Sequence, residues 1–237
     1  LELGRGRSFP AGPDGGRNKN GVGAGNVFAH LGGDIGTSTA WQLGFSFLRT
    51  SSQDRIYDDL DSAATTVTNS FSGASKLWTL SGVLKWAPHG NPSYNNFKLQ
   101  GEYFRRKEEG TLNVDTAAAS PGGTQAGGLT TRQSGWYLQS VLKFNPEWRV
   151  GLRHDRLSSC STRIGAVDDG RVAAENFPLL ASYNPRRTSL MLDWNGSEFS
   201  RSRLLYGRVQ SRPGASDNQI FLLYIMSLGA HGAHSFY

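Results

Sequence analysis

The sequence predicts an all-β fold, a transmembrane antiparallel up-and-down barrel with about ten strands in this chain. Two observations carry that expectation. The tryptophans gather at the ends of strand-like runs, and apolar residues recur with period two between Gly-rich and Ser-rich connections. Trp41 follows Gly36-Thr37-Ser38-Thr39, Trp86 precedes Pro88-His89-Gly90-Asn91-Pro92, Trp148 follows Asn145-Pro146-Glu147, and Trp194 precedes Asn195-Gly196-Ser197. Trp78 and Trp136 sit at the opposite ends of their runs. An indole has an apolar body and an N–H that needs a wet partner, so the two interfaces of a bilayer select it.

The strands follow from the alternation. Trp41, Leu43, Phe45 and Phe47 alternate with Gln42, Gly44 and Ser46. Trp78, Leu80, Leu84 and Trp86 alternate with Thr79, Ser81 and Lys85. Phe97, Leu99 and Tyr103 alternate with Lys98, Gln100 and Glu102, while Trp136, Leu138, Leu142 and Phe144 alternate with Tyr137, Gln139 and Lys143. Trp148, Val150 and Leu152 are interleaved with Arg149 and Arg153, and Leu190, Leu192 and Trp194 with Met191 and Asp193. Ile220, Leu222, Tyr224 and Met226 form one face of a last strand whose other face is also apolar. The expected strands are 1–6, 22–34, 39–51, 75–87, 95–107, 132–144, 148–158, 187–195, 199–211 and 217–230.

The expected connections alternate in length. Those at 35–38, 88–94, 145–147 and 196–198 are short. Those at 7–21, 52–74, 108–131 and 159–186 are long, and 212–216 is a shorter one on the long side. Short turns on one side and long loops on the other match the periplasmic and extracellular ends of an outer-membrane barrel. Trp78 to Trp86, and Trp136 to Phe144, each span eight residues. That is roughly 26 Å of strand at about 3.3 Å per residue. A tilt of about 40° leaves roughly 20 Å along the membrane normal, near the ~25 Å apolar band of such barrels.

Composition agrees. The chain has 237 residues, 30 of them glycine, with 11% aromatics and 37% hydrophobic residues. Mean hydropathy is −0.44. No stretch approaches the roughly 18 apolar residues of a membrane helix, whereas a barrel turns only every second strand residue to lipid. One barrel domain over 1–237 accounts for the length. The opening Leu1-Glu2-Leu3 reads as a strand already under way, so the chain is expected to be the C-terminal part of a larger barrel. Cys160, the single cysteine, is expected to be a free loop thiol.

Several residues resemble those of a known family. The last segment, Asp217-Asn218-Gln219-Ile220-Phe221-Leu222-Leu223-Tyr224-Ile225-Met226-Ser227-Leu228-Gly229-Ala230-His231-Gly232-Ala233-His234, is similar to the C-terminus of poorly characterised proteobacterial outer-membrane porin-like proteins. Lys85-Trp86-Ala87-Pro88, Gly101-Glu102-Tyr103-Phe104-Arg105-Arg106 and Ser134-Gly135-Trp136-Tyr137 strengthen the likeness. Some relatives carry the labels zinc-regulated or TonB-dependent receptor. The resemblance implies a bacterial outer-membrane barrel; the chain has neither a recognisable plug nor a TonB box.

Formal net charge is +6 and pI about 9.6. With the aromatic faces on lipid, the reverse faces line an interior. Lys76, Lys85, Lys98, Arg106, Lys143, Arg149, Arg153, Arg201 and Arg203 are expected there, against Asp34, Glu102, Asp155 and Asp193. Lys85, Lys98, Lys143, Arg149, Arg153 and Arg203 are the expected selectors of a path that prefers anions. An interior filled by cross-strand pairs, for example at Glu102, is the other reading. The expected function is passive diffusion of small hydrophilic solutes, with a receptor or uptake barrel for zinc or another ligand as the alternative.

The remaining motifs are weaker. His231 and His234 are three apart and could supply half of a zinc site; otherwise no metal or cofactor is expected. His154-Asp155 would suit a hydrolytic site only if the two shared a face, which adjacent strand residues do not, so no enzyme is expected. Gly21-Val22-Gly23-Ala24-Gly25 lacks the strand and helix context of a phosphate loop. Arg105-Arg106-Lys107, answered by Glu108-Glu109, fits lipopolysaccharide phosphates or water better than nucleic acid. The expected partners are outer-membrane lipid, small solutes, and the barrel-assembly machinery, which would read the terminal Phe236 and Tyr237.

Overall fold

The computed structural model describes residues 1–4, 23–177, 180, 183–197 and 199–227. They form one antiparallel sheet of ten strands, each hydrogen-bonded to its neighbours in sequence. The strands are β1 (Glu2–Gly4), β2 (Ala24–Ile35), β3 (Thr39–Leu60), β4 (Thr66–Trp86), β5 (Asn96–Val114), β6 (Gln125–Lys143), β7 (Trp148–Ile164), β8 (Arg186–Ser197), β9 (Ser200–Arg212) and β10 (Ala215–Met226). One short helix, α1 (Gly165–Asp168), follows β7. Among the described residues no helix is long and apolar enough to cross a membrane. Among the described residues the sheet has two open edges, because β1 pairs only with β2 and β10 only with β9.

The register sorts the side chains onto two faces. One row runs from Leu31 through Leu43, Gly82, Gly101, Leu138, His154 and Thr188 to Arg208. Rows two residues to either side share its face. All six tryptophans lie on that aromatic face, and Trp148 stands directly opposite Trp194. The other face is polar, with rows such as Gln42, Val83, Gln100, Gln139, Arg153 and Ser189.

Burial is inverted relative to a water-soluble sheet. The aromatic face is open, with Leu80 57%, Leu138 49% and Leu222 81% exposed. The buried positions of the strands include Thr50, Ser75, Glu108, Thr131, Ser189 and Asp193, all on the polar face. An open apolar surface spread over nine strands far exceeds the few hundred Å² a soluble monomer usually tolerates.

The apolar band is also oblique. On β3 and β4 it ends at the paired Phe47 and Trp78, and Arg49 and Lys76 come next. On β9 it ends between Tyr206 and Arg208, in the row of Leu43, which lies six residues before Arg49. The edge thus slips by about one residue per strand. At about 3.3 Å per residue and 4.8 Å per strand, that is a slope of roughly 35°.

The structure corrects the expected long loops. Most of 52–74 and 108–131 is strand, so the connections shrink to 61–65 and 115–124, and β7 continues to Ile164 before 165–185. Cys160 lies within β7 rather than in a loop. The tight turns explain the first two. Asp61 Oδ1 accepts from the amides of Ala63 (2.9 Å) and Thr65 (2.8 Å). Buried Asp115 accepts from the Ala119 amide (2.8 Å) and from the amide (2.7 Å) and hydroxyl (2.6 Å) of Ser120. These bonds hold its carboxyl below the usual range, the Ser120 hydroxyl contributing most.

The extended hairpins carry the one cluster of buried apolar side chains among the described residues. Phe71, Leu112, Val114, Leu129 and Ile164 meet Ala166 and Phe177. Phe71, Leu112 and Leu129 are on the polar-face register, so 165–177 folds across that face at its far end. Glycine is required where it does so, since a Cβ on Gly127 would stand 2.6 Å from the Ala166 nitrogen.

Candidate functional site

Three tiers of paired charge stand on the polar face, each a carboxylate set among cations. At the short-turn end, one row reads Lys143, Arg149, Asp193, Arg203 across β6 to β9. The Asp193 side chain is 1% exposed. Arg203 grips it with two bonds, Nε to Oδ1 at 2.7 Å and Nη2 to Oδ2 at 2.9 Å. Arg201 lies 4.0 Å from the same carboxylate and donates to Asn195 Oδ1 at 2.9 Å. Arg149 reaches Asn195 Oδ1 at 3.4 Å, and its buried Nε has no protein partner. Lys143 donates to the Ser93 carbonyl at 2.5 Å. One carboxylate therefore serves a group of three arginines and a lysine.

In the middle tier, Arg153 Nε and Nη2 hold Asp155 Oδ1 at 2.9 and 2.6 Å. Its guanidinium lies 4.0 Å over the Tyr137 ring, a cation–π contact. Arg187 stands opposite Asp155 in register and bonds Ser189 at 3.1 Å. Gln139, Arg153, Asp155, Arg187, Ser189 and Arg203 contribute to the wall of an open cleft of ≈ 330 Å³. At the far end, buried Glu108 accepts from Arg55 (2.7 Å) and Arg106 (2.5 Å).

All six expected selectors share this face, but their states differ. Arg153 and Arg203 are ion-paired, and Lys143 is tied to a turn. Lys85 and Lys98 stand opposite one another in the row of Asp34, and neither is in an ion pair among the described residues. Glu102 occupies the polar face without an ion pair among those residues; the pairs form at Glu108, Asp155 and Asp193 instead.

Lys76 is the error in the expected set. It has the parity of Trp78 and lies on the aromatic face, in one row with Arg49, Lys107 and Arg132. Arg55, Glu108 and Arg187 were missed. The first two fell in segments read as loops. Arg187 opened a strand, and its alternation with Ser189 and Met191 was available to place it.

His154 faces the aromatic side, with its ring 5.4 Å from that of Trp136 and Nδ1 2.8 Å from the Thr188 hydroxyl. Asp155 points to the opposite face, beside Arg153. His231, His234, Phe236 and Tyr237 lie outside the described residues, as does all of 7–21. Among the described residues no group of three or more His, Cys, Asp or Glu side chains is placed to hold a metal ion.

A curated relative from Aquifex aeolicus, itself described as an uncharacterized protein, is 28% identical over 174 residues. The match covers 71% of this chain and 32% of the relative, so the chain spans about a third of that protein's length. No family model matches, and neither does any solved structure.

Proposed function

We propose that this chain is part of a transmembrane β-barrel of a bacterial outer membrane, and that its polar face lines a path for small hydrophilic solutes with a preference for anions. The inverted burial carries the reading. Trp78, Trp86, Trp136 and Trp194 are each at least 39% exposed while Asp193 is fully buried. Lipid is the solvent in which that arrangement is stable, because most strand residues of the band that face it are apolar, with Ser140, His154 and Thr188 among the exceptions, while the charged residues gather on the reverse side. The oblique band supports it independently. A membrane cuts the rows of a barrel at the strand tilt, which is about 35–45°, and the roughly 35° slope matches. A soluble sheet has no reason to tilt its apolar band.

The open edges require further strands or closure of β10 on the N-terminal strands, since unpaired strand edges are not stable in lipid. A longer parent protein, as in the Aquifex relative, would provide strands and widen the lumen. Within it, the Lys143–Arg149–Arg201–Arg203 group keeps excess positive charge after Asp193 is satisfied, and such a ring favours anions.

Reversal potentials in planar bilayers under a salt gradient test the proposal on the full-length protein. Chloride is expected to be the more permeant ion, with the preference falling in Arg149→Gln/Arg201→Gln. A cation-selective or non-conducting protein sinks it.

A further inference from the structure

Four cations stand side by side on the face that the sheet turns outward. Arg49 pairs in register with Lys76, Lys76 with Lys107, and Lys107 with Arg132. The row crosses β3 to β6, about 14 Å at 4.8 Å per strand. Like charges directly opposite on neighbouring strands repel one another. The nearest carboxylate on that face is Glu109, one row further out, whose Oε1 is 2.5 Å from Lys107 Nζ. It leaves most of the row uncompensated. Directly on the other side, one row nearer the short turns, are Phe47, Trp78 and Arg105. The cations therefore sit at the border of the apolar band. They continue around the sheet as Arg156, Arg186 and Arg208, each exposed and each next to the band's oblique edge.

No ordinary face of a soluble protein explains four aligned cations bordering exposed tryptophan. A layer of anions resting on hydrocarbon does. We infer that the row Arg49–Lys76–Lys107–Arg132 is a docking site for the phosphate groups of a phosphorylated membrane lipid of the lipid A type, whose acyl chains lie against Phe47 and Trp78. This rests on the membrane reading above. Arg and Lys complement phosphate by charge-assisted hydrogen bonds, and the apolar rows beneath would orient the lipid along the membrane normal.

The test uses the full chain refolded in non-ionic detergent micelles, with insertion into phosphatidylcholine vesicles measured first by protease protection. Bisphosphorylated lipid A is then titrated by calorimetry, alongside its dephosphorylated form and inorganic phosphate. Binding of the bisphosphorylated lipid alone is expected, weakening with salt. Each cation removed should lower affinity about fivefold, so Lys76→Gln/Lys107→Gln/Arg132→Gln should lose on the order of a hundredfold. Lys76→Arg/Lys107→Arg, which keeps the charge, should retain affinity. Lys85→Gln/Lys98→Gln, on the opposite face, should bind lipid as the wild type does. Equal binding of the dephosphorylated lipid, binding of free phosphate with the same affinity, or an unchanged triple variant each overturns the site while leaving the membrane reading intact. Failure to insert at all overturns both.

Discussion

Single side chains on the polar face are held by charge pairing. Asp193 is the clearest. Two bonds from Arg203 and the proximity of Arg201 satisfy it at 1% exposure. Asp193→Asn would leave these guanidiniums facing one another with their anion gone. Breaking a buried pair costs about 3 kcal/mol at the low end, the end that applies because the Arg203 side chain keeps 30% of its exposure. Urea unfolding in micelles should show the loss, and the same variant should be more anion-selective than wild type. Asp115 gives a pH signature. Its carboxyl is held below its ordinary value chiefly by the Ser120 hydroxyl, with the Ser120 and Ala119 amides assisting. A lowered folded-state value means stability is fully present above the unfolded aspartate range, near 3.9, and is lost as pH falls through the lower folded value. The melting-temperature gap between wild type and Asp115→Asn should be widest above about pH 4 and close in stronger acid. Lys76 shows what residue-level reading can miss. Counting two back from Trp78 puts it on the tryptophan face, so parity alone was sufficient to exclude it from the polar face.

At the scale of elements, legibility followed hydrophobic contrast. The band segments 41–47, 78–86 and 136–144 alternate sharply, and their strands appear where the periodicity put them. The extensions 52–60, 66–74 and 108–114 carry Ser, Thr, Asp or Glu on both faces, so period two is invisible there. They are strands because each has a ladder partner and because Phe71, Leu112 and Leu129 close against 165–177. That packing is long-range and could not be read from local pattern. Phe71→Ala should therefore cost about 3–5 kcal/mol locally while sparing the band. Trypsin should cut at Arg171 much faster in the variant, with far-UV circular dichroism nearly unchanged. If Arg171 stays protected, 165–177 is not anchored by Phe71.

For the whole molecule, the ten-strand order was legible but closure was not, because strand pairing across the ends of a chain leaves no mark in local sequence. The structure leaves β10 as an edge with both faces open: Ile220 is 73%, Leu222 81% and Tyr224 66% exposed, and Phe221, Leu223 and Ile225 are each at least 40% exposed. A long apolar edge strand is a template for pairing. Its inner side is also the least polar part of the reverse face, where Leu205 stands opposite Phe221. Apolar residues on both sides suit a strand that is to be flanked by more protein, not one that faces a wide aqueous lumen alone. The isolated chain should accordingly self-associate in non-ionic detergent, and the β10 amides not bonded to β9 should exchange rapidly with deuterium whenever it is monomeric. Where further strands pair with β10, the same amides should be protected. A monomeric isolated chain with all amides from Ile220 to Met226 protected would mean that β10 closes on the chain's own first strands, making a narrow ten-stranded barrel whose three tiers of ion pairs fill the interior instead of lining a path.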